Sequence, residues 1–70
     1  MADSVYRVTE LIGTSETSWE EAAQNAIETA SKTLKNLRVA EINKLDMKIE
    51  NGKVVAYRSR VALSFKYENK

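Results

Sequence analysis

The chain has 70 residues, with no cysteine, histidine or proline. Those zeros exclude disulfides, thiolate metal sites and every imidazole-based triad, proton shuttle or zinc site. Eleven Lys+Arg against ten Asp+Glu give a formal charge of +1, which supplies no whole-molecule field for nucleic acid or anionic lipid.

A composition of 43% hydrophobic and 30% charged residues is that of a globular chain. Residues 1–70 read as a single domain. A core of this size supplies only about 3–5 kcal/mol and usually needs a staple. With disulfides and thiolate zinc excluded, oligomerisation is the staple that remains. Met1-Ala2-Asp3-Ser4 carries no basic stretch and no apolar run follows it, so no signal peptide is expected. No apolar run approaches the length of about 18 residues that a membrane span requires. A cytoplasmic protein without a membrane partner is the expectation.

The first periodic segment, Val5-Tyr6-Arg7-Val8-Thr9-Glu10-Leu11-Ile12, is short and rich in β-branched and aromatic residues. It predicts a strand that Gly13 stops, followed by a hydroxyl-rich loop, Thr14 to Ser18. Ser18-Trp19-Glu20-Glu21 has the form of a capping box, with the Ser18 hydroxyl on a first-turn amide and Glu21 reaching back to the Ser18 amide. Glu20 and Glu21 suit the positive end of a helix dipole, and Lys32, Lys35 and Arg38 the negative end. Trp19, Ala22, Ala23, Ala26, Ile27, Ala30, Leu34 and Leu37 recur at steps of three and four. They form one apolar stripe, narrow because of its alanines, so the helix can sit close to a sheet.

Two further strands follow, joined at Asn51-Gly52, where both residues tolerate positive φ. Counting back from that turn sets Ile49 against Val54, Met47 against Ala56, Leu45 against Arg58, Asn43 against Arg60, Ile42 against Val61 and Ala40 against Leu63. Val55, Tyr57, Ser59, Val61, Leu63, Phe65 and Tyr67 then share one side of the third strand. The register contains a conflict. Ile42, Val61, Leu63 and Phe65 share the face that should carry the helix, whereas Leu45, Met47, Ile49, Val54 and Ala56 are apolar on the opposite one. Either a bulge at Asn43-Lys44 re-aims the strand, or the hairpin tip presents a second apolar patch away from the helix. We expect the second patch, buried against a neighbouring subunit, because a large exposed patch on a monomer needs its own explanation.

Several strings also resemble a known family. Val5-Tyr6-Arg7, Glu10-Leu11-Ile12-Gly13-Thr14-Ser15 and Ser18-Trp19-Glu20-Glu21-Ala22 are similar to the N-terminal half of the dodecins. Lys32-Thr33-Leu34-Lys35-Asn36-Leu37-Arg38, Gly52-Lys53-Val54 and Phe65-Lys66 extend the match through the C-terminal half. The resemblance implies an α+β chain of β-α-β-β order, whose three-stranded antiparallel sheet wraps part of one amphipathic helix. It also implies assembly of twelve copies into a hollow homododecamer that binds and sequesters flavins such as riboflavin or FMN.

Two positions depart from the flavin-binding pattern. The family's ring-stacking Trp directly follows the Leu-Arg that closes the helix, and here that position is Val39. Its ring-edge Gln follows the Tyr of the third strand, and here that position is Arg58. Val39, Glu41, Arg58 and Arg60 are the ligand-pocket equivalents, expected together with Asn43 on the face away from the helix. Loss of the stack removes about 0.5–1.5 kcal/mol per aromatic contact beyond area burial. Flavin is therefore the weaker expectation. Arg38-Val39-Ala40 and Asp46-Met47 resemble instead a Trp-less branch associated with calcium. Calcium takes about six to eight oxygen ligands, and no EF-hand spacing is present, so Asp46 and Glu50 are candidate ligands in a site shared between subunits.

Simpler readings stand beside these. Trp19 opens the apolar stripe and is expected in the core. Arg58 and Arg60 suit an anion grip or, equally, salt bridges with Glu41 or a neighbour's carboxylate. Gly13-Thr14-Ser15 lacks the frame of a phosphate loop. An enzyme is disfavoured because no carboxylate pair is spaced for acid–base work. A nucleic-acid partner is disfavoured because no aromatics interleave the basic strand face. The expectation is a non-enzymatic shell that stores a small ligand or ion, with calcium ahead of flavin.

Overall fold

A computed structural model describes residues 5–66. The chain order is β1 (Tyr6–Ser15), α1 (Trp19–Ser31), β2 (Leu37–Glu50) and β3 (Lys53–Lys66). The sheet is antiparallel in the order β1-β3-β2, so β3 is central and both other strands are edges. This is the expected β-α-β-β architecture. Tyr67 lies outside the described residues.

Strand β1 does not stop at Gly13 but continues to Ser15. The glycine serves packing: a Cβ there would stand 1.9 Å from the Ala22 carbonyl oxygen and 3.0 Å from the Ala26 Cβ. The alanine row of the helix lies directly on the strand at that point. Ser18 caps α1 as expected, its Oγ accepting from the Glu21 amide at 3.0 Å. The reciprocal half of the box does not form. The Glu21 carboxylate instead accepts from the Ser15 and Thr17 hydroxyls, which hold it below the usual carboxylate range.

The helix also ends earlier than the stripe. Its last turn closes through Thr33 and Leu34 amides onto the Ala30 carbonyl, at 3.1 and 2.8 Å. Of the three basic residues expected at the negative end of the dipole, Lys32 is the C-cap residue, and Lys35 and Arg38 fall beyond the helix. Asn36 then turns the chain at φ 65°. Leu34 and Leu37 still pack against the core, but from the connection and the start of β2. The core itself is Ala23, Ala26 and Ala30 against Val61 and Leu63, with Leu11 and Ile27 alongside.

The β2–β3 turn is as expected, with Asn51 at φ 52° and Gly52 at φ 75°. The register departs from simple counting. Ile49–Val54, Ile42–Val61 and Ala40–Leu63 pair as anticipated, but Met47 faces Tyr57, Leu45 faces Ser59 and Lys44 faces Arg60. Val55 is an extra residue on β3 near the turn, and Asn43 is a compensating extra residue on β2. This overturns the second patch away from the helix. The bulges keep Leu45, Met47, Ile49 and Val54 on the same face as Ile42, Val61 and Leu63. That face simply runs on beyond the helix, and the arm's large apolar residues stay exposed: Leu45 53%, Met47 44%, Ile49 64%, Val54 48%.

Candidate functional site

The face of the sheet opposite the helix is built in rows. The pairings set Thr14, Arg58 and Asp46 in one row, Ile12, Arg60 and Lys44 in the next, then Glu10, Ala62 and Glu41, and last Val8, Ser64 and Val39. All four pocket equivalents, Val39, Glu41, Arg58 and Arg60, therefore share this face. They do not converge within one chain. Six residues of β3 separate the Val39 row from the Arg58 row, about 20 Å at strand spacing.

Arg58 has a definite partner. Its Nε donates to Asp46 Oδ1 at 2.7 Å and its Nη2 to Asp46 Oδ2 at 2.9 Å, a two-pronged pair directly across the ladder. Such fork-to-fork pairing is the strong form of a charge-assisted bond. The hydrogen bond from Arg58, aided by the charges of Arg58 and Arg60, holds the Asp46 carboxyl below its ordinary range. The same bond raises the Arg58 guanidinium. Arg60 Nη1 lies 4.0 Å from Glu10 Oε1, and Asn43, re-aimed by the bulge, donates to Glu10 Oε2 at 3.3 Å. The expected partner Glu41 is replaced by Asp46 and Glu10. The one-residue bulge hid the first, and the β1–β3 pairing, which no turn motif announces, hid the second.

Glu50 lies four residues along β2 from Asp46 and pairs with Lys48, Nζ to Oε2, at 3.6 Å. One chain thus keeps the two candidate calcium ligands apart, each beside a cation. Among the described residues no group of three or more carboxylates is placed to hold a metal ion.

On the helix side, Trp19 is half-buried rather than core. Its ring meets Tyr57 edge-on, with centroids 5.1 Å apart and planes at 69°. Its indole Nε1 donates to the Asp46 carbonyl at 3.0 Å, and the fully buried Ser59 Oγ donates to the Trp19 carbonyl at 2.8 Å. These bonds pin the first helical turn across β3 to β2. They also open a groove of about 440 Å³ lined by Trp19, Glu20, Ala23, Ile42, Leu45 and Ser59. Among the described residues no helix is long and apolar enough to cross a membrane.

One helix on a three-stranded sheet with a long bare arm is the fold of a known class of small proteins. The family model for Dodecin matches residues 5–68, and the chain belongs to the dodecin family. A calcium dodecin from Mycobacterium tuberculosis is 41% identical over 63 residues, covering 90% of this chain and 89% of that protein. The crystal structure of that calcium-chelating protein superposes with a TM-score of 0.82, at 96% coverage of each chain. Dodecin from Streptomyces coelicolor superposes at 0.91, with 36% identity and full coverage of both chains.

Proposed function

We propose that this chain is the subunit of a homododecameric, non-enzymatic shell that binds or stores a small ligand or ion, and that calcium is favoured over flavin. The observation that carries the choice is the Asp46–Arg58 pair. Where a flavin-binding dodecin places a ring-edge Gln, Arg58 is held in a two-pronged salt bridge, and where it places a stacking Trp, Val39 is 57% exposed. Neither offers an aromatic or neutral hydrogen-bonding surface to an isoalloxazine ring. The 41% identity to a calcium dodecin supports the ion.

The residues of one chain do not make a calcium cage. Asp46 and Glu50, each beside a cation, supply too few free oxygens for the roughly six to eight that calcium takes. A site using them has to draw on neighbouring copies. The shape of the chain favours such neighbours. It exposes 5498 Å², against about 4,400 Å² for a folded monomer of its mass. Its radius of gyration is 14.6 Å over a long axis of 55 Å, where a compact chain of this length has about 11 Å. On the sheet face opposite the helix, Arg58 pairs with Asp46 and Arg60 with Glu10.

Titration of one sample with calcium by calorimetry and with riboflavin by fluorescence quenching tests the reading. Calcium heat without flavin quenching is expected. Val39→Trp with Arg58→Gln should bring flavin quenching in, which marks the pocket location. Tight flavin binding by the unaltered protein, with no calcium heat, would contradict the proposal.

A further inference from the structure

The asparagines of the chain are not equivalent. Asn25 is tied, its Nδ2 donating to the Thr14 carbonyl at 2.9 Å, and Asn43 donates to Glu10 Oε2 at 3.3 Å. Asn36 turns the chain at φ 65° but is followed by the bulky Leu37. Asn69 lies outside the described residues. Asn51 differs from all of these. It is exposed at the end of the arm, its carboxamide makes no hydrogen bond among the described residues, and the next residue is Gly52.

The surroundings of the Gly52 nitrogen are open. Glycine itself adds no side chain, and a Cβ built there would meet nothing within 4 Å. The ladder pairs Glu50 with Lys53 across the turn, and among the described residues no backbone hydrogen bond of the turn uses the Gly52 amide. Both turn residues hold left-handed φ, 52° and 75°. A two-residue turn with no buried contacts lies at the low end of local opening free energies. The Asn51 carboxamide can then swing onto the nitrogen of its neighbour.

We propose that Asn51-Gly52 is a self-modifying site, in which the Gly52 nitrogen attacks the Asn51 carboxamide and water completes conversion to an aspartyl or isoaspartyl linkage. The bond from the Gly52 nitrogen to Asn51 Cγ forms and the Cγ–Nδ2 bond breaks. Nδ2 leaves as ammonia, carrying the Gly52 amide proton, and a five-membered imide remains. Water then opens the imide at either carbonyl. Nothing is oxidised or reduced, and water is the only co-reactant.

Either product sets a carboxylate beside Glu50. The formal charge falls from +1, with 11 Lys+Arg against 10 Asp+Glu, to zero, with 11 against 11. The backbone separates the two products. An aspartyl residue tolerates positive φ as asparagine does, so the turn survives. The isoaspartyl form threads an extra main-chain carbon through a loop whose length sets the register, so the Ile49–Val54 pair is the first to loosen. The arm tip therefore ages into a more acidic and partly looser form, whatever the shell binds.

Incubation of the intact protein in warm neutral buffer tests this. Trypsin cuts after Lys48 and Lys53 and releases residues 49–53, so mass spectrometry reads the site alone. That peptide is expected to gain the mass of an amide-to-acid exchange and to split into two chromatographic forms. Peptides holding Asn25, Asn36 and Asn43 should stay unchanged over the same time. Gly52→Ala, whose methyl crowds the nitrogen, should slow conversion severalfold, and circular dichroism checks that it folds. Asn51→Gln closes only a six-membered ring and should slow the same mass gain while leaving Gly52 in place. A native protein that stays unconverted while the chain in urea converts would overturn the proposal. So would a lone aspartyl product, which needs no ring, or equal conversion at Asn36.

Discussion

The two ends of the β2–β3 hairpin carry the same apolar alternation and meet opposite fates. Under the helix, Val61 is 0% and Leu63 1% exposed, while on the arm Leu45 is 53% and Ile49 64% exposed. The bulges at Asn43 and Val55 keep these residues on one face, so pattern does not separate them. Length does. A helix of 13 residues reaches about 20 Å, and a strand of 14 residues about 46 Å. The sheet outlasts its cover, and apolar surface at the arm is left for something outside the chain.

The sharpest contrast comes from matched truncations. Leu63→Ala is expected to cost about 2–5 kcal/mol of intrinsic stability in urea unfolding, because its cavity lies beneath the helix. Leu45→Ala should change the isolated fold by less than about 0.5 kcal/mol, and act on native mass instead. Equal costs at the two positions would break the comparison. Gly13→Ala comes next. Its Cβ would stand 1.9 Å from the Ala22 carbonyl oxygen, and the helix must lift, at about 1–3 kcal/mol of overpacking. Melting temperatures of the variant and wild type measure it.

Ser18→Ala removes the acceptor for the Glu21 amide and should cost about 1 kcal/mol in the same assay. The smallest effect lies on the opposite face. The Asp46 carboxyl is held low by Arg58, so its contribution is full above the ordinary aspartate range and is lost as pH falls through the lowered value. Asp46→Asn should flatten that part of the acid dependence of the urea midpoint. An unchanged acid profile would show that the pair contributes nothing to stability.

Much of this was legible in the sequence because it depends on local chemistry. Asn51-Gly52 fixes a turn that needs two positive φ values, and Ser18 offers an oxygen to an orphan amide. What was hidden depends on tertiary contact. The parity switch between Ile42 and Leu45 offers a bulge at Asn43-Lys44 as one alternative, but nothing local marks the extra residue at Val55, which moves Asp46 into line with Arg58. Leu34 and Leu37 keep helical spacing yet pack from outside the helix, because the Ala30 carbonyl closes the last turn first. Gly13 read as a stop, whereas its lack of a Cβ admits the helix while the strand continues. The candidate site was legible as a face and not as a cluster: Val39, Glu41, Arg58 and Arg60 lie together on one side, but their partners across the sheet needed the register.

The central claim is that copies of this chain cover what its helix cannot. Multi-angle light scattering of the unaltered protein at micromolar concentration tests it most directly. The account predicts a native mass near twelve chains. A mass of one or two chains, with the arm left bare, would contradict it.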